Sequence, residues 1–292
     1  MIDILKSAFL GIIEGITEWL PVSSTGHMIL VDEFLHLKQS KDFMDMFLVV
    51  IQLGAIFAVI MLYWNKLWPF HLKKTKVEPY FDNNSGLKCL CNNFVYVDRF
   101  ILWFKILIAS VPAAILGLVF DDQIDAMLTG EKRAYVVAST LIIYGVLFII
   151  IENLNIRSKI GGLGALSYKT AMFIGLIQCL ALIPGTSRSG ATILGAIILG
   201  LSRTDAAEFS FFLSVPAMVG GSGIKVLQYF ADGNTFTSEQ ILILLVGMAV
   251  AFIVSVLAIK FLLNFIRKND FKVFGYYRII LGAIIIAYFA LA

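Results

Sequence analysis

Six stretches of this chain, near residues 43–64, 100–120, 134–151, 206–227, 240–265 and 276–292, are apolar runs with few charges. A membrane-spanning helix needs ~20 such residues, so six spans are expected. Two more apolar stretches, 2–37 and 171–201, are each broken in the middle by proline, glycine and hydroxyl residues. Irregular backbone at membrane depth is tolerated only where protein buries it or it lines a cavity. Both are therefore read as broken, re-entrant helical hairpins. Composition agrees, since 59% of the 292 residues are hydrophobic and only 15% are charged, against ~25% charged in soluble domains. The expected fold class is an all-α polytopic membrane protein, a single integral membrane domain over 1–292, with no nucleic-acid partner.

The first apolar run has no small-residue cleavage site behind it and is interrupted by acids, so it is expected to stay in the mature protein. Three scattered cysteines do not make a disulfide framework or a zinc site, and Cys89-x-Cys91 in a polar loop is not read as one. Basic residues set the orientation. Loops 65–99, 152–169 and 266–275 carry twelve Lys and Arg against five on the opposite side, which makes those three loops cytoplasmic.

Sliding the chain by 164 positions sets Gly11, Glu14, Ser23, Thr25, Gly26 and Phe47 opposite Gly175, Gln178, Ser187, Ser189, Gly190 and Phe211. The two breaks read as copies of one unit, repeat 1 over about 1–64 and repeat 2 over about 170–227. Three spans lie between the copies, so the repeat is expected to be inverted, with its two hairpins meeting near the bilayer midplane.

The first break reads EGITEWLPVSSTGH, from Glu14 to His27. Glu14 and Glu18 are four apart, on one helical face. Ionisable groups at membrane depth are costly and mark functional sites by default; the competing reading lays this helix at the interface with both acids in water. Two close carboxylates leave one able to hold a proton, which suits general acid or base work. Ser24 and His27 are three apart, so the imidazole could reach the hydroxyl; the competing reading makes the serine a helix cap.

The second break reads PGTSRSGAT, from Pro184 to Thr192. Gly185 and Gly190 permit tight turns, while Thr186, Ser187, Ser189 and Thr192 offer hydroxyls before a new helix. That is the chemistry of an anion cradle. Arg188 adds a planar fork of donors suited to phosphate oxygens, unless it is only the structural partner of a carboxylate. One hairpin thus supplies acid, base and hydroxyl, and the other an anion hole. The ligand expected is a phosphate on a membrane-borne molecule.

Glu14-x-x-x-Glu18, Pro21-Val-Ser-Ser-Thr-Gly-His27 and Pro184-Gly-Thr-Ser-Arg-Ser-Gly-Ala-Thr192, with Gln52-Leu-Gly, Gln178-Cys-Leu-Ala and Glu208-Phe-Ser-Phe, closely resemble the bacterial undecaprenyl pyrophosphate phosphatase family, also called bacitracin resistance proteins. The resemblance covers nearly the whole chain; the departure is the long loop 65–99, away from both motifs. It implies hydrolysis of undecaprenyl pyrophosphate to the monophosphate and inorganic phosphate, recycling the lipid carrier of cell-wall synthesis and conferring bacitracin resistance. It also implies a bacterial cytoplasmic membrane; because the first hairpin opens outward on the charge count, the site is expected to face its outer side.

On that footing Glu14, Glu18, Ser24, His27 and Arg188 are the expected catalytic residues. Ser23, Thr25, Gly26, Gln178, Ser187, Ser189, Gly190 and Thr192 are expected around the phosphates. Ser24 is the preferred nucleophile, with His27 or Glu18 taking its proton and Glu14 orienting the pair or protonating the leaving group. Nucleophilic attack by His27, or by a water activated by Glu18, stays open. No cofactor is firmly implied; a divalent cation, Mg²⁺ or Ca²⁺, would find Glu14 and Glu18 first. A homodimer is left open.

The rival class is a transporter or flippase for a lipid phosphate or anion, since inverted repeats with broken helices also build transporters. His36 and His71 are read as non-catalytic. Gly220-Gly221-Ser222-Gly223 is expected to let helices approach or to break a span. Lys105, Lys225 and Lys260 are expected to snorkel to an interface, and Asp205 and Glu208 to begin a helix.

Overall fold

A computed structural model of the chain describes residues 1–35, 37–70, 95–120, 123 and 133–291. His36, His71, Cys89, Cys91 and most of loop 65–99 lie outside the described residues. The described chain forms helices α1 (Ile2–Thr17), α2 (Ser24–Phe34), α3 (Lys41–Leu62), α4 (Val97–Val119) and α5 (Arg133–Asn153). It continues as α6 (Tyr168–Gln178), α7 (Arg188–Ile198), α8 (Arg203–Ala231), α9 (Ser238–Ile266) and α10 (Lys272–Leu291). Single helical turns follow α3 at Trp64–Leu67, precede α6 at Leu163–Ala165 and follow it at Cys179–Leu182.

Helices α3, α4, α5, α8, α9 and α10 are long and apolar enough to cross a membrane. The protein is a multi-pass membrane protein. Each span starts a few residues before the apolar run read from sequence, and α3, α8 and α9 carry side-chain caps there. Ser40 accepts from the Phe43 amide at 3.3 Å and Ser202 from the Asp205 amide at 3.1 Å. Thr237 and Gln240 form a reciprocal capping box. Such caps contribute about 1 kcal/mol each by satisfying amides that have no partner within the helix.

The shorter helices pair off as α1–α2 and α6–α7, the two broken hairpins. Helix α1 lies along α9 and α6 lies along α4, while α3 packs on α8 and α5 on α10. Gly11 and Gly175, matched in sequence at the 164-residue offset, do the same job at these two contacts. A Cβ on Gly11 would stand 2.5 Å from the Gly247 carbonyl oxygen, and one on Gly175 would collide with the Ala109 carbonyl. Only glycine admits backbones so close, the usual device where apolar solvent offers helices no hydrophobic drive to associate. Ser7 adds a hydrogen bond to the Ile243 carbonyl at 2.6 Å.

The core runs under the first break. Trp19, fully buried, meets Phe211 edge to face at 5.3 Å, and Tyr63 meets Phe212 the same way at 5.0 Å. Burying a ring of this size dominates local energetics, so Trp19 anchors the chain one residue after Glu18. At another edge Arg203 grips the Glu152 carboxylate through Nε and Nη2, and the Phe271 amide donates to the same carboxylate at 3.1 Å.

Two expectations change here. Lys105 does not reach outward; it is buried and its ammonium donates to the carbonyls of Leu163 and Gly164, at 3.4 and 3.0 Å. The Leu163 carbonyl also accepts from the Leu166 amide at 3.3 Å, and a buried ammonium needs such acceptors. Gly220, Gly221 and Gly223 neither break α8 nor admit a neighbour, since a Cβ on any of them meets open space. Glu208 lies in the second turn of α8, where it pairs with Lys66 at 2.6 Å, while Asp205 occupies the first.

Candidate active site

Both hairpins turn through a serine in an uncommon backbone conformation. Ser23 has φ 71° and ψ 102°, and Ser187 has φ 70° and ψ 121°. Positive φ is uncommon for a residue with a Cβ and is held only where surroundings over-determine it. Each serine caps the helix that follows: Ser23 Oγ accepts from the Gly26 amide at 3.3 Å, Ser187 Oγ from the Gly190 amide at 3.2 Å. The turn aims the next side chains, Ser24 and Arg188, out of their helices' first turns.

They converge on one carboxylate. Arg188 Nη2 donates to Glu18 Oε1 at 2.8 Å, and Ser24 Oγ donates to Glu18 Oε2 at 3.2 Å. Ser189 Oγ donates to the Glu18 carbonyl at 3.2 Å and accepts from Ser187 Oγ at 3.1 Å. Residues 170 positions apart are thereby bonded, and hydrogen bonds tie one break to the other. Arg188 Nη1 also donates to the Ser210 carbonyl at 2.9 Å, which fixes the guanidinium from behind. A guanidinium has five N–H donors, so three remain after these two bonds. Glu18 and Arg188 are nearly buried, at 8% and 14% side-chain exposure, where a paired charge is far stronger than in water.

Glu14 sits one turn below Glu18, 1% exposed, with Oε1 unpartnered. Gln178, its match in the second hairpin, is equally buried and also has an unpartnered side-chain oxygen. Buried acceptors without partners are uncommon in native structures.

Both hairpins, their junction and the spans around them fall within a single family match. The model of the family described as bacitracin resistance protein BacA matches residues 7–284. The chain belongs to this family. Among curated relatives, an undecaprenyl-diphosphatase of Enterococcus faecalis is 55% identical over 288 residues, 98% of this chain and 97% of that one. The undecaprenyl-diphosphatase of Acetivibrio thermocellus is 54% identical over 292 residues, covering 99% and 98% of the two chains. That of Streptococcus thermophilus is 52% identical over 290 residues, covering 99% and 94%.

The pairing of Ser24 with His27 expected from their spacing is absent. His27 Nδ1 lies 2.8 Å from the Ser23 carbonyl, which can only accept, so Nδ1 carries the proton. In the neutral ring Nε2 then accepts from Tyr277 OH at 2.6 Å, and the two rings lie nearly parallel. The imidazole is drawn back by its own helix start and outward by α10, leaving Ser24 to Glu18. Thr192 likewise turns inward: its hydroxyl donates to the Arg188 carbonyl at 2.9 Å and bonds Ser210 Oγ at 2.6 Å, so it braces α7 against α8. Thr25 is half-buried beside Ser24.

Arg278 was not singled out from sequence. It is fully buried on α10, with Nη1 donating to the Pro21 carbonyl at 3.4 Å and Nη2 to those of Gly185 and Thr186 at 2.8 and 2.5 Å. One guanidinium thus clasps both breaks. A Cβ on Gly190 would lie 2.6 Å from Arg278 Nη1, so the clasp leaves room only for glycine at this position. The missed signal was available, since a charge inside an apolar span is a functional candidate.

Proposed function

We propose that this chain hydrolyses undecaprenyl pyrophosphate to undecaprenyl phosphate and inorganic phosphate, returning a lipid carrier to cell-wall synthesis and so conferring bacitracin resistance. Membership of the bacitracin resistance family and the names of its relatives support that reading. The observation that carries it is the contact of Ser24 and Arg188, from two hairpins, with the one Glu18 carboxylate. A nucleophile, a base and a cationic fork within one hydrogen-bonded group are what phosphoryl transfer needs.

In the mechanism proposed, the diphosphate docks at the junction with its terminal phosphate on the free donors of Arg188 and on Thr25, while Ser189, buried with its hydroxyl committed to the Glu18 carbonyl, and Ser187, committed to Ser189, brace the cradle. Ser24 Oγ attacks the terminal phosphorus as its proton passes to Glu18. The bond from phosphorus to the bridging oxygen breaks, and polyprenyl phosphate leaves. Water then attacks the phosphoserine, and inorganic phosphate departs as Ser24 recovers its proton. Glu14 orients Glu18. His27 and Tyr277 border the docking volume and fix the orientation of the α2 start.

Glu14 Oε1, buried and unpartnered, suits a hard cation, whereas Glu18 is already engaged by Arg188. Among the described residues no group of three or more His, Cys, Asp or Glu is placed to hold a metal ion. If a Mg²⁺ or Ca²⁺ ion takes part, Glu14 would be its protein ligand and the ion would supply neutralisation of phosphate charge. The charge distribution of the loops favours a site facing the outer side of the cytoplasmic membrane; the matched contacts of α1 with α9 and α6 with α4 favour a two-fold repeat, and the odd number of spans between the copies favours its inversion.

The test is phosphate release from a C55 polyprenyl diphosphate by the purified protein in detergent. Wild type should release phosphate, and Ser24→Ala and Arg188→Ala, still folded, should do so at least ~10²-fold more slowly. Folded wild type that releases none, with or without Mg²⁺ or Ca²⁺, would overturn the reading in favour of transport.

A further inference from the structure

One residue of α8 holds Arg188 at both ends. The Ser210 carbonyl accepts from Nη1 of the guanidinium at 2.9 Å. At the other end, Thr192 directs its only hydroxyl proton at the carbonyls of Arg188 and Ser189, 2.9 and 3.2 Å away. The 2.6 Å contact between Thr192 Oγ1 and Ser210 Oγ is then Ser210 donating to Thr192. A closed ring of hydrogen bonds runs from the guanidinium through Ser210 and Thr192 back to the main chain of Arg188. We infer that Ser210 is a positioning residue of the reaction, which sets the aim of the Arg188 fork and through it the place of the phosphate. The inference rests on the hydrolytic reading above and adds what orients the cation on which that reading depends.

Ser210 and Thr192 are both fully buried, so neither meets the substrate and any effect of Ser210 runs through Arg188. A guanidinium on a long rotatable stem helps only while it is aimed, and a misplacement of about 1 Å can cost ~10²-fold in rate. Glu18 also holds the fork, through Nη2 at 2.8 Å. That carboxylate, however, is the base of the mechanism, and its hold weakens once the Ser24 proton neutralises it, because bonds to an ionised acceptor are roughly twice as strong as neutral ones. The hold is therefore lost as the phosphoryl group transfers and its charge must be met. The Ser210 carbonyl does not titrate, and it keeps the fork in place through that step. The same stretch of α8 steadies the other partner: Phe211 meets Trp19 edge to face at 5.3 Å, and Trp19 directly follows Glu18.

The experiment measures phosphate release from a C55 diphosphate by Ser210→Ala, made both in wild type and in Arg188→Ala. Opening the ring should lower kcat about tenfold in wild type. The same change should leave the residual rate of Arg188→Ala where it was, because there is no fork left to aim. An unchanged kcat in the single variant, or the same loss repeated in the Arg188→Ala protein, would overturn the assignment and make Ser210 a packing residue. Should Ser210→Ala fail to fold, Thr192→Val cuts the same ring with the side-chain shape kept and is read by the same two comparisons, and Thr192→Ser should restore most of its loss. Binding of inorganic diphosphate, followed by titration calorimetry in detergent, separates this inference from the hydrolytic reading. Ser210→Ala should weaken that binding several-fold, and not further in Arg188→Ala; equal affinity in wild type and Ser210→Ala would overturn the positioning role. Wild type that binds diphosphate and releases no phosphate from the lipid would count against hydrolysis alone.

Discussion

In the first hairpin Ser23 turns at φ 71° and caps α2 through the Gly26 amide; in the second Ser187 turns at φ 70° and caps α7 through the Gly190 amide. At the same 164-residue offset the side chains part company: Glu14 faces Gln178, Glu18 faces Leu182, Ser24 faces Arg188 and His27 faces Ala191. The backbone of the turn is kept and the ionisable chemistry is divided, acids to one copy and the cation to the other. Two acidic copies would repel a diphosphate, and two cationic copies would offer no base. The arrangement requires both, because the glutamate of one is the counterion of the other.

That division can be broken at its strongest point first. Arg188→Ala removes the cation and strands Glu18, and loss of one such donor at a transition state costs ~10²–10³ in rate. A drop of at least that size in kcat is expected, with KM raised as well. Arg188→Lys should recover little, since one ammonium cannot serve Ser210, Glu18 and a phosphate together. Glu18→Gln keeps the shape and removes the base, for an expected loss of ~10²–10⁴ in kcat and a flattened pH–rate profile. A full pH dependence in that variant would take Glu18 out of proton transfer.

Arg278→Met tests the clasp instead of the chemistry. It leaves the Pro21, Gly185 and Thr186 carbonyls without their donor, and each buried unsatisfied group costs about 1–3 kcal/mol. A fall of several degrees in the detergent melting temperature is expected, along with lost activity; an unchanged melting temperature would show the two breaks hold together without it. Smaller and more telling are Ser23→Ala and Ser187→Ala. Each loses a cap worth about 1 kcal/mol, so both should soften the fold alike. A stability loss at one and not at the other would break the likeness of the two turns.

The smallest effect belongs to Tyr277→Phe. It removes the hydroxyl on His27 Nε2 and keeps the ring stack, so kcat should change only a few-fold, with a shifted pH profile and KM for the long lipid nearly unchanged.

Six spans, two broken hairpins and the meeting of those hairpins were legible in the sequence, because apolar run length, the 164-residue offset and the cost of charge at membrane depth are local signals. Partner choice was not, beginning with the choice of Glu18 by Arg188. Ser24 and His27 have the spacing to bond, yet the helix start gives His27 a nearer acceptor in the Ser23 carbonyl, four residues back. Arg278 and Tyr277 act across about 250 residues of chain, on carbonyls and a ring whose positions only the packing of α10 on α5 and α2 decides. Lys105 has the stem to snorkel, but the Leu163–Ala165 turn folds over it first.

The central claim is that groups from the two hairpins act on one phosphorus as a single unit. A double-mutant cycle of Ser24→Ala and Arg188→Ala, read as phosphate release from the C55 diphosphate, tests it most directly. Groups acting as a unit are strongly non-additive, so the double variant should be about as slow as the slower single variant. Losses that multiply, each variant costing its full factor in the presence of the other, would mean that the hairpins act independently and would contradict the account.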